Sequence, residues 1–129
     1  MASRFDKKQC EAELAMQLRA MKIPHKTQYR FHEKRMWRFD FAFPEIQLAV
    51  EVQGVTNIQF HKGKPFIGGH QSPQGMKNDL EKFDEAMRLG WRVYQCEQQM
   101  VSSGRALQTI EILLGRARIS EGRQRALKL

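Results

Sequence analysis

The sequence is short of cysteine, of long apolar runs and, in two stretches, of acidic residues. Its 129 residues include two cysteines, Cys10 and Cys96. Two thiols do not make a zinc site, and no C-x-x-C or H-x-x-x-H spacing recruits the histidines to them. The segment MASRFDKKQC holds no apolar leader, so secretion is not expected and both cysteines are read as buried thiols rather than a disulfide. No apolar run approaches the roughly 20 residues of a membrane span, so no membrane partner is expected. Internal repeats and low-complexity stretches are absent. Between Gly54 and Gly75 there is no acidic residue, only Lys62, Lys64 and two histidines; after Leu114 a single Glu121 faces Arg116, Arg118, Arg123, Arg125 and Lys128.

Hydrophobic residues make up 41% and charged residues 28% of the chain, the composition of a globular protein with one core, read as a single domain over 1–129 with a basic tail at about 115–129. The formal charge of +8 points toward a polyanionic partner, most simply nucleic acid.

Apolar spacing predicts a first helix from Arg4 to Lys22 with Cys10, Leu14, Leu18 and Met21 on its stripe, stopped by Pro24. Three extended segments follow. Gln28–His32 alternates Tyr29 and Phe31 with Arg30 and His32. Trp37–Phe43 sets Trp37, Phe39, Phe41 and Phe43 against Arg38, Asp40 and Ala42. Ile46–Gln53 sets Ile46, Leu48, Val50 and Val52 against Gln47, Ala49, Glu51 and Gln53. These period-two patterns read as an antiparallel meander. The stretch from Gly54 to Gly75, with five glycines and two prolines, reads as a long connection of the kind that is usually functional. A second helix is predicted over Met76–Leu89 with Met76, Leu80, Phe83 and Met87 as its apolar stripe, and Gly90 as its cap. Trp91–Cys96 reads as a fourth strand. A last helix spans Ser103–Arg118, using Leu107, Ile110 and Leu114. The order is α/β, with a mixed sheet and helices packed on it.

Asp40 and Glu51 stand out because a carboxylate inside segments as apolar as WRFDFAF and LAVEVQ costs energy unless paired, hydrogen-bonded or bound to a cation. A four-residue turn at Phe43-Pro44-Glu45-Ile46 pairs Ala42 with Gln47 and Asp40 with Ala49. Asp40 then lies diagonal to Glu51, roughly 7–8 Å away, with the small Ala49 leaving room between. Two readings follow: a polar outer face with Arg38 neutralising one acid, or an oxygen-ligand site of the kind Mg²⁺ takes. On the first helix Glu11 falls about 60° from the centre of the apolar stripe and Glu13 about 100°, so Glu11 is the better candidate to face the sheet.

Asp40 and, after ten intervening residues, Glu51-Val52-Gln53 resemble the D-(x)n-E-x-K/Q core of the PD-(D/E)XK nucleases. More narrowly, WRFDFAFPE, LAVEVQG, GGH and NDLEKFDEAMRLGWRV together resemble small phage and prophage endonuclease-like proteins akin to resolvases and very-short-patch repair nucleases, over about Gln28 to Val101. The resemblance implies a restriction-endonuclease-like αβββαβα core with a mixed four-stranded sheet flanked by helices. It implies a Mg²⁺-dependent endodeoxyribonuclease, with Mn²⁺ substituting, with a junction, flap or mismatch as candidate structure-specific substrates, located in the cytoplasm of a bacterial host and encoded by a phage or prophage. Asp40 and Glu51 would be metal ligands together with the Val52 carbonyl. Glu11 would join the catalytic set. Gln53 stands where many relatives carry lysine; it can orient a water but supplies no charge. Lys82, His70 or a second metal would fill that gap. Cleavage would leave 5′-phosphate and 3′-hydroxyl ends. Gln28 and Asp84 stand where similar sequences carry Glu and Asn, and no role is assigned to them.

DNA contacts are expected from Arg38, Lys62, Lys64, Arg116 and Arg118, with Phe60 or Phe66 available to stack on bases or to pack under the loop. The competing readings are a DNA-binding module of the same fold without chemistry, motivated by the missing lysine, and a protein-binding adaptor. Cutting of a DNA junction would favour a homodimer.

Overall fold

A computed structural model of the chain describes residues 7–53, 58–61, 64–67 and 73–116, with 58–61 and 64–67 described as backbone. The elements are α1 (Lys7–Ala20), β1 (Lys26–Arg30), β2 (Arg38–Phe43), β3 (Leu48–Val52), β4 (Ile58–His61), β5 (Lys64–Ile67), α2 (Pro73–Arg88), β6 (Arg92–Cys96), α3 (Gln98–Ser102) and α4 (Arg105–Leu113). Four strands form a mixed sheet in the order β1-β2-β3-β6. The first three run antiparallel, and β3 pairs parallel with β6. A parallel neighbour needs a crossover, and α2 lies within it.

Helices cover both faces of this sheet. On one, Leu14 and Leu18 of α1, Val101 of α3 and Ile110 of α4 pack on Phe41, Phe43, Val50 and Val52. On the other, Ala86 of α2 and Trp91 pack on Phe39, Ala42 and Ala49. The chain is therefore α/β with a mixed four-stranded sheet flanked by helices. Covering both faces buries every residue of β3 and all but the first of β2. The face expected to be polar is lined by Ala42 and Ala49, small enough for α2 to approach closely.

The first helix ends where Lys22 takes a left-handed φ of 56° and the Ile23 N–H reaches back to the Leu18 carbonyl at 2.9 Å, a capping geometry that needs no glycine. Met21, expected on the buried stripe, is exposed. The predicted last helix is the shorter α4, and α3, which was not expected, precedes it. Glu97 caps α3 by accepting from Gln99 N–H (3.1 Å) and Met100 N–H (3.0 Å), and Gly104, at φ +85°, turns the chain into α4. The Gly54–Gly75 stretch holds a β4–β5 hairpin that composition did not signal.

Three expectations about faces and register are corrected. The β2–β3 turn uses Pro44–Ile46 as a 3-10 turn and Gln47 in the left-handed region, so Phe43 pairs with Leu48 and Ala42 with Ala49, not with Gln47. Continued by one pair, that register sets Asp40 opposite Glu51 rather than Ala49. A two-residue slip leaves every side chain on its own face, so the apolar pattern does not discriminate between the two registers. Second, Phe39 belongs to the α2 face while Phe41 and Phe43 belong to the α1 face. The alternation breaks at Asp40: Gln28, its neighbour on β1, has φ +47° and the Gln28–Asp40 pair is missing from an otherwise continuous register. Third, Met76, Leu80 and Met87 of the expected apolar stripe of α2 face outward, Leu80 65% and Met87 72% exposed, while Phe83 is half-buried and Ala86 is the buried contact.

These placements separate two leucines that look alike in sequence. Leu18→Ala is expected to lower unfolding stability by about 2–5 kcal/mol, as for other fully buried leucines. Leu80→Lys is expected to stay within about 0.5 kcal/mol, as for surface positions. Urea denaturation of both variants checks the pair.

Candidate functional site

Asp40 and Glu51 are 7% and 6% exposed, the only polar residues among the described ones that the sheet buries. Buried carboxylates need partners, and each finds one on the opposite strand. The Asp40 N–H donates to Glu51 Oε2 at 2.9 Å, and the Val52 N–H donates to Asp40 Oδ2 at 2.8 Å. Side-chain oxygens thus take the place of ladder carbonyls where β2 and β3 separate. One oxygen of each carboxylate remains, Asp40 Oδ1 and Glu51 Oε1, and each meets an ammonium. Lys7 Nζ of α1 donates to Asp40 Oδ1 at 2.9 Å and to Glu11 Oε2 at 3.0 Å. Lys82 Nζ of α2 donates to Glu51 Oε1 and, at 2.7 Å, to the Arg38 carbonyl. The Lys82 side chain is 13% exposed and sits 5.7 Å above the Phe39 ring.

Burial raises the pKa of Glu51 to about 7, the Asp40 charge adds to that rise, and Lys82 pulls against it. Burial pulls the Lys7 ammonium down, but its bonds to Asp40 and Glu11 outweigh this and hold it above its ordinary value. Cys10 and Cys96 are free and buried, and burial lifts them to about 11 and about 12; thiols so raised are inert, as expected for structural cysteines.

The structure brings together four of the residues singled out from sequence. Asp40, Glu51 and Lys82 are in contact, and Glu11 joins through Lys7. Glu11 also accepts from Gln28 Nε2 at 3.0 Å, so the strained Gln28, given no role from sequence, stands at the rim. Val52 contributes its backbone N–H to Asp40. The neutralising partners of the two acids are Lys7 and Lys82 rather than Arg38, whose side chain is exposed. Gln53 is turned to β6, donating to Gln95 Oε1 at 2.5 Å instead of to either carboxylate. Arg116 lies elsewhere, lining a cleft of about 550 Å³ at the β2–β3 turn with Lys26 and Phe43. His70, Lys62 and Arg118 lie outside the described residues, as do the side chains of Lys64, Phe60 and Phe66. Lys7 was not foreseen; its signal is the i, i+4 spacing to Glu11.

As a metal centre the arrangement offers two hard carboxylate oxygens, each now facing a cationic group. That donor chemistry fits Mg²⁺ or Mn²⁺. Among the described residues no group of three His, Cys, Asp or Glu side chains is placed to hold a metal ion; Lys7 bonds both Glu11 and Asp40.

No family model matches the chain, and no solved structure matches it. It is 32% identical over 85 residues, 64% of its length, to two uncharacterized proteins, Rv2248 and MT2308, from two strains of Mycobacterium tuberculosis. The match covers 27% of each of those proteins, so the chain spans about a quarter of the curated relatives it resembles. Among the described residues no helix is long and apolar enough to cross a membrane.

The raised Glu51 pKa has a sign. With its folded value near 7 and its ordinary value at 4.5, the folded state binds more protons between the two, so Glu51 lowers stability as pH rises through that window. Carboxyl NMR is expected to show Glu51 titrating near 7, moving down in Asp40→Asn, which removes the like charge, and up in Lys82→Met, which removes the ammonium.

Proposed function

We propose that the chain is a metal-dependent endodeoxyribonuclease domain of the PD-(D/E)XK type, with a restriction-endonuclease-like core. The observation that carries the reading is the pair Asp40 Oδ1 and Glu51 Oε1: two buried, backbone-anchored carboxylates, each with one oxygen directed to a cation. The order of α1, the three antiparallel strands, α2 and the parallel β6 supports it. So does the excess positive charge, which suits a polyanionic substrate.

Mg²⁺, or Mn²⁺ in its place, would be held by Asp40 and Glu51 with the Val52 carbonyl, and would supply Lewis-acid polarisation of the phosphate and acidification of water. The residues of the chain do the rest. Glu51 and Asp40 are each fixed through one oxygen by the opposite backbone, so the two carboxylates are already positioned. Lys82, held against Phe39 and the Arg38 carbonyl, supplies the positive charge that Gln53 lacks and offsets the anion that develops on the phosphate. Lys7 holds Glu11 beside Asp40, and its ammonium would compete with a divalent cation for the Asp40 carboxylate. In the hydrolysis a water oxygen bonds to phosphorus, the bond to the 3′ oxygen breaks, and that oxygen takes a proton. The basic stretches at 54–75 and after Leu114 would contact backbone phosphates, which position DNA without reading its sequence.

The second reading, a DNA-binding module without chemistry, is favoured by the same two lysines, which satisfy both acids with no metal. Incubating branched and linear DNA with Mn²⁺ separates the two. Wild type is expected to cut, Asp40→Ala and Glu51→Ala to fall to background with DNA affinity retained, and Lys82→Ala to lose about 10²–10³-fold in rate, the scale of one electrostatic group in a preorganised site. Absence of cutting on every substrate with strong binding selects the module. DNA affinity that hardly responds to added salt would exclude both, since phosphate contacts release counterions.

Metal affinity supplies an independent readout. Below pH about 7 the Glu51 carboxylate must lose a proton to bind, so Mn²⁺ affinity by calorimetry is expected to rise about tenfold per pH unit and level off above. Lys7→Met is expected to tighten it by removing the competing ammonium.

A further inference from the structure

The loop from 31 to 37, between β1 and β2, is held by its own side chains. Arg30 donates to the Arg35 carbonyl (3.2 Å) and the Glu33 carbonyl (3.3 Å), and His32 Nδ1 accepts from the N–H groups of Lys34 (3.1 Å) and Arg35 (2.9 Å). Two rings of this loop continue a row of nearly parallel rings from Phe39, and the row is topped by a guanidinium. Phe31 stacks on Phe39 at 4.1 Å and 6°, Trp37 stacks on Phe31 at 6.2 Å and 12°, and the Arg35 guanidinium lies 4.0 Å over the Trp37 ring. The inner end, Phe39, is the ring beneath Lys82. The outer end is solvent-facing, with the Arg35 side chain 47% exposed.

The edges of that outer plane are already engaged. Arg35 donates to Asn78 Oδ1 at 3.1 Å and to Glu81 Oε2 at 3.4 Å, and Trp37 Nε1 donates to the same Asn78 oxygen at 3.2 Å. A guanidinium whose edge is tied to α2 is poorly placed to clamp a phosphate through that edge. What it retains is a flat cationic face, with Arg30, Lys34, Arg38 and Lys77 exposed around it for backbone phosphates. Bases stack on aromatic rings and on guanidinium planes, but only where the base has a free face. Inside a duplex both faces of each base are covered.

We infer that Arg35, laid on Trp37, is a stacking platform for an unpaired nucleobase, and that the substrate class is DNA carrying an unpaired nucleotide to one side of the scissile phosphate: a flap, a frayed end or a displaced base. The inference rests on the proposed nuclease reading for its link to the acids, which runs along the row from Arg35 to Phe39 beneath Lys82, whereas the stacking is measured without cleavage.

Oligonucleotides carrying 2-aminopurine in a single strand, in a short flap and within a fully paired duplex are titrated with the full chain in EDTA. The fluorophore is expected to be quenched in the strand and flap, with the duplex unchanged. Arg35→Ala and Arg35→Lys are expected to abolish the quench and weaken strand and flap binding about tenfold, the scale of one lost base stack, with duplex affinity altered less than twofold. Loss in Arg35→Lys separates the plane from the charge, and Arg35 is exposed enough for both variants to fold. Quenching that survives in Arg35→Ala, or equal weakening on duplex and flap, overturns the inference. Cleavage with Mn²⁺ is scored on the same substrates: cutting without quench removes the platform alone, and quench without cutting removes the nuclease reading alone.

Discussion

Two carboxylates hold β2 and β3 together at the point where the backbone ladder gives out. Asp40 and Glu51 each give one oxygen to an N–H of the facing strand, so the interior tolerates the break without an orphaned donor. Each then has one oxygen to spare, and a buried anionic oxygen demands a cation. Lys7 and Lys82 answer that demand in the protein as it stands. The proposed metal would answer it in the same place, which would make the site a choice between internal and external cations. The rise of Glu51 to about 7 marks the residual cost of holding both acids so close in a poorly solvated setting.

The three-layer arrangement is what delivers the two ammonium groups. Lys7 comes from α1 on one face of the sheet and Lys82 from α2 on the other, and they converge where β2 and β3 part. Gln28 completes the opening from the third side, its positive φ interrupting the β1–β2 register opposite Asp40. Strain of this kind persists where surrounding contacts over-determine it and tends to collect at working sites. Phe39 serves both halves of the surface, lying under Lys82 and starting the row of planes that ends at Arg35.

The outward apolar stripe of α2 shows the limit of periodicity as a guide. Met76, Leu80 and Met87 recur at helical spacing, yet the contact with the sheet is made by Ala86, and Lys82 turns inward. Close approach over Ala42 and Ala49 favours a small residue at the interface, and the electrostatic demand of Glu51 favours a lysine; neither preference is written in the hydrophobic pattern of the helix itself.

Element type, and the mixed α/β character, could be read along the chain because alternation in RFDFAF and LAVEV and the Cys10-Leu14-Leu18 spacing are local properties of short segments. The two acids could be singled out for the same reason, as charges set in apolar strands. The hairpin register could not, since a two-residue slip leaves both faces intact, and the β4–β5 hairpin lies in a stretch whose glycines mask it. Nor could the partners of the acids: Lys7 is 33 residues from Asp40 and Lys82 is 31 from Glu51, so which cation meets which oxygen depends on how the helices pack across the sheet. Local patterns specify segments and their charges; contacts between segments are decided by packing and by the burial of charge, which exist only once the chain is folded.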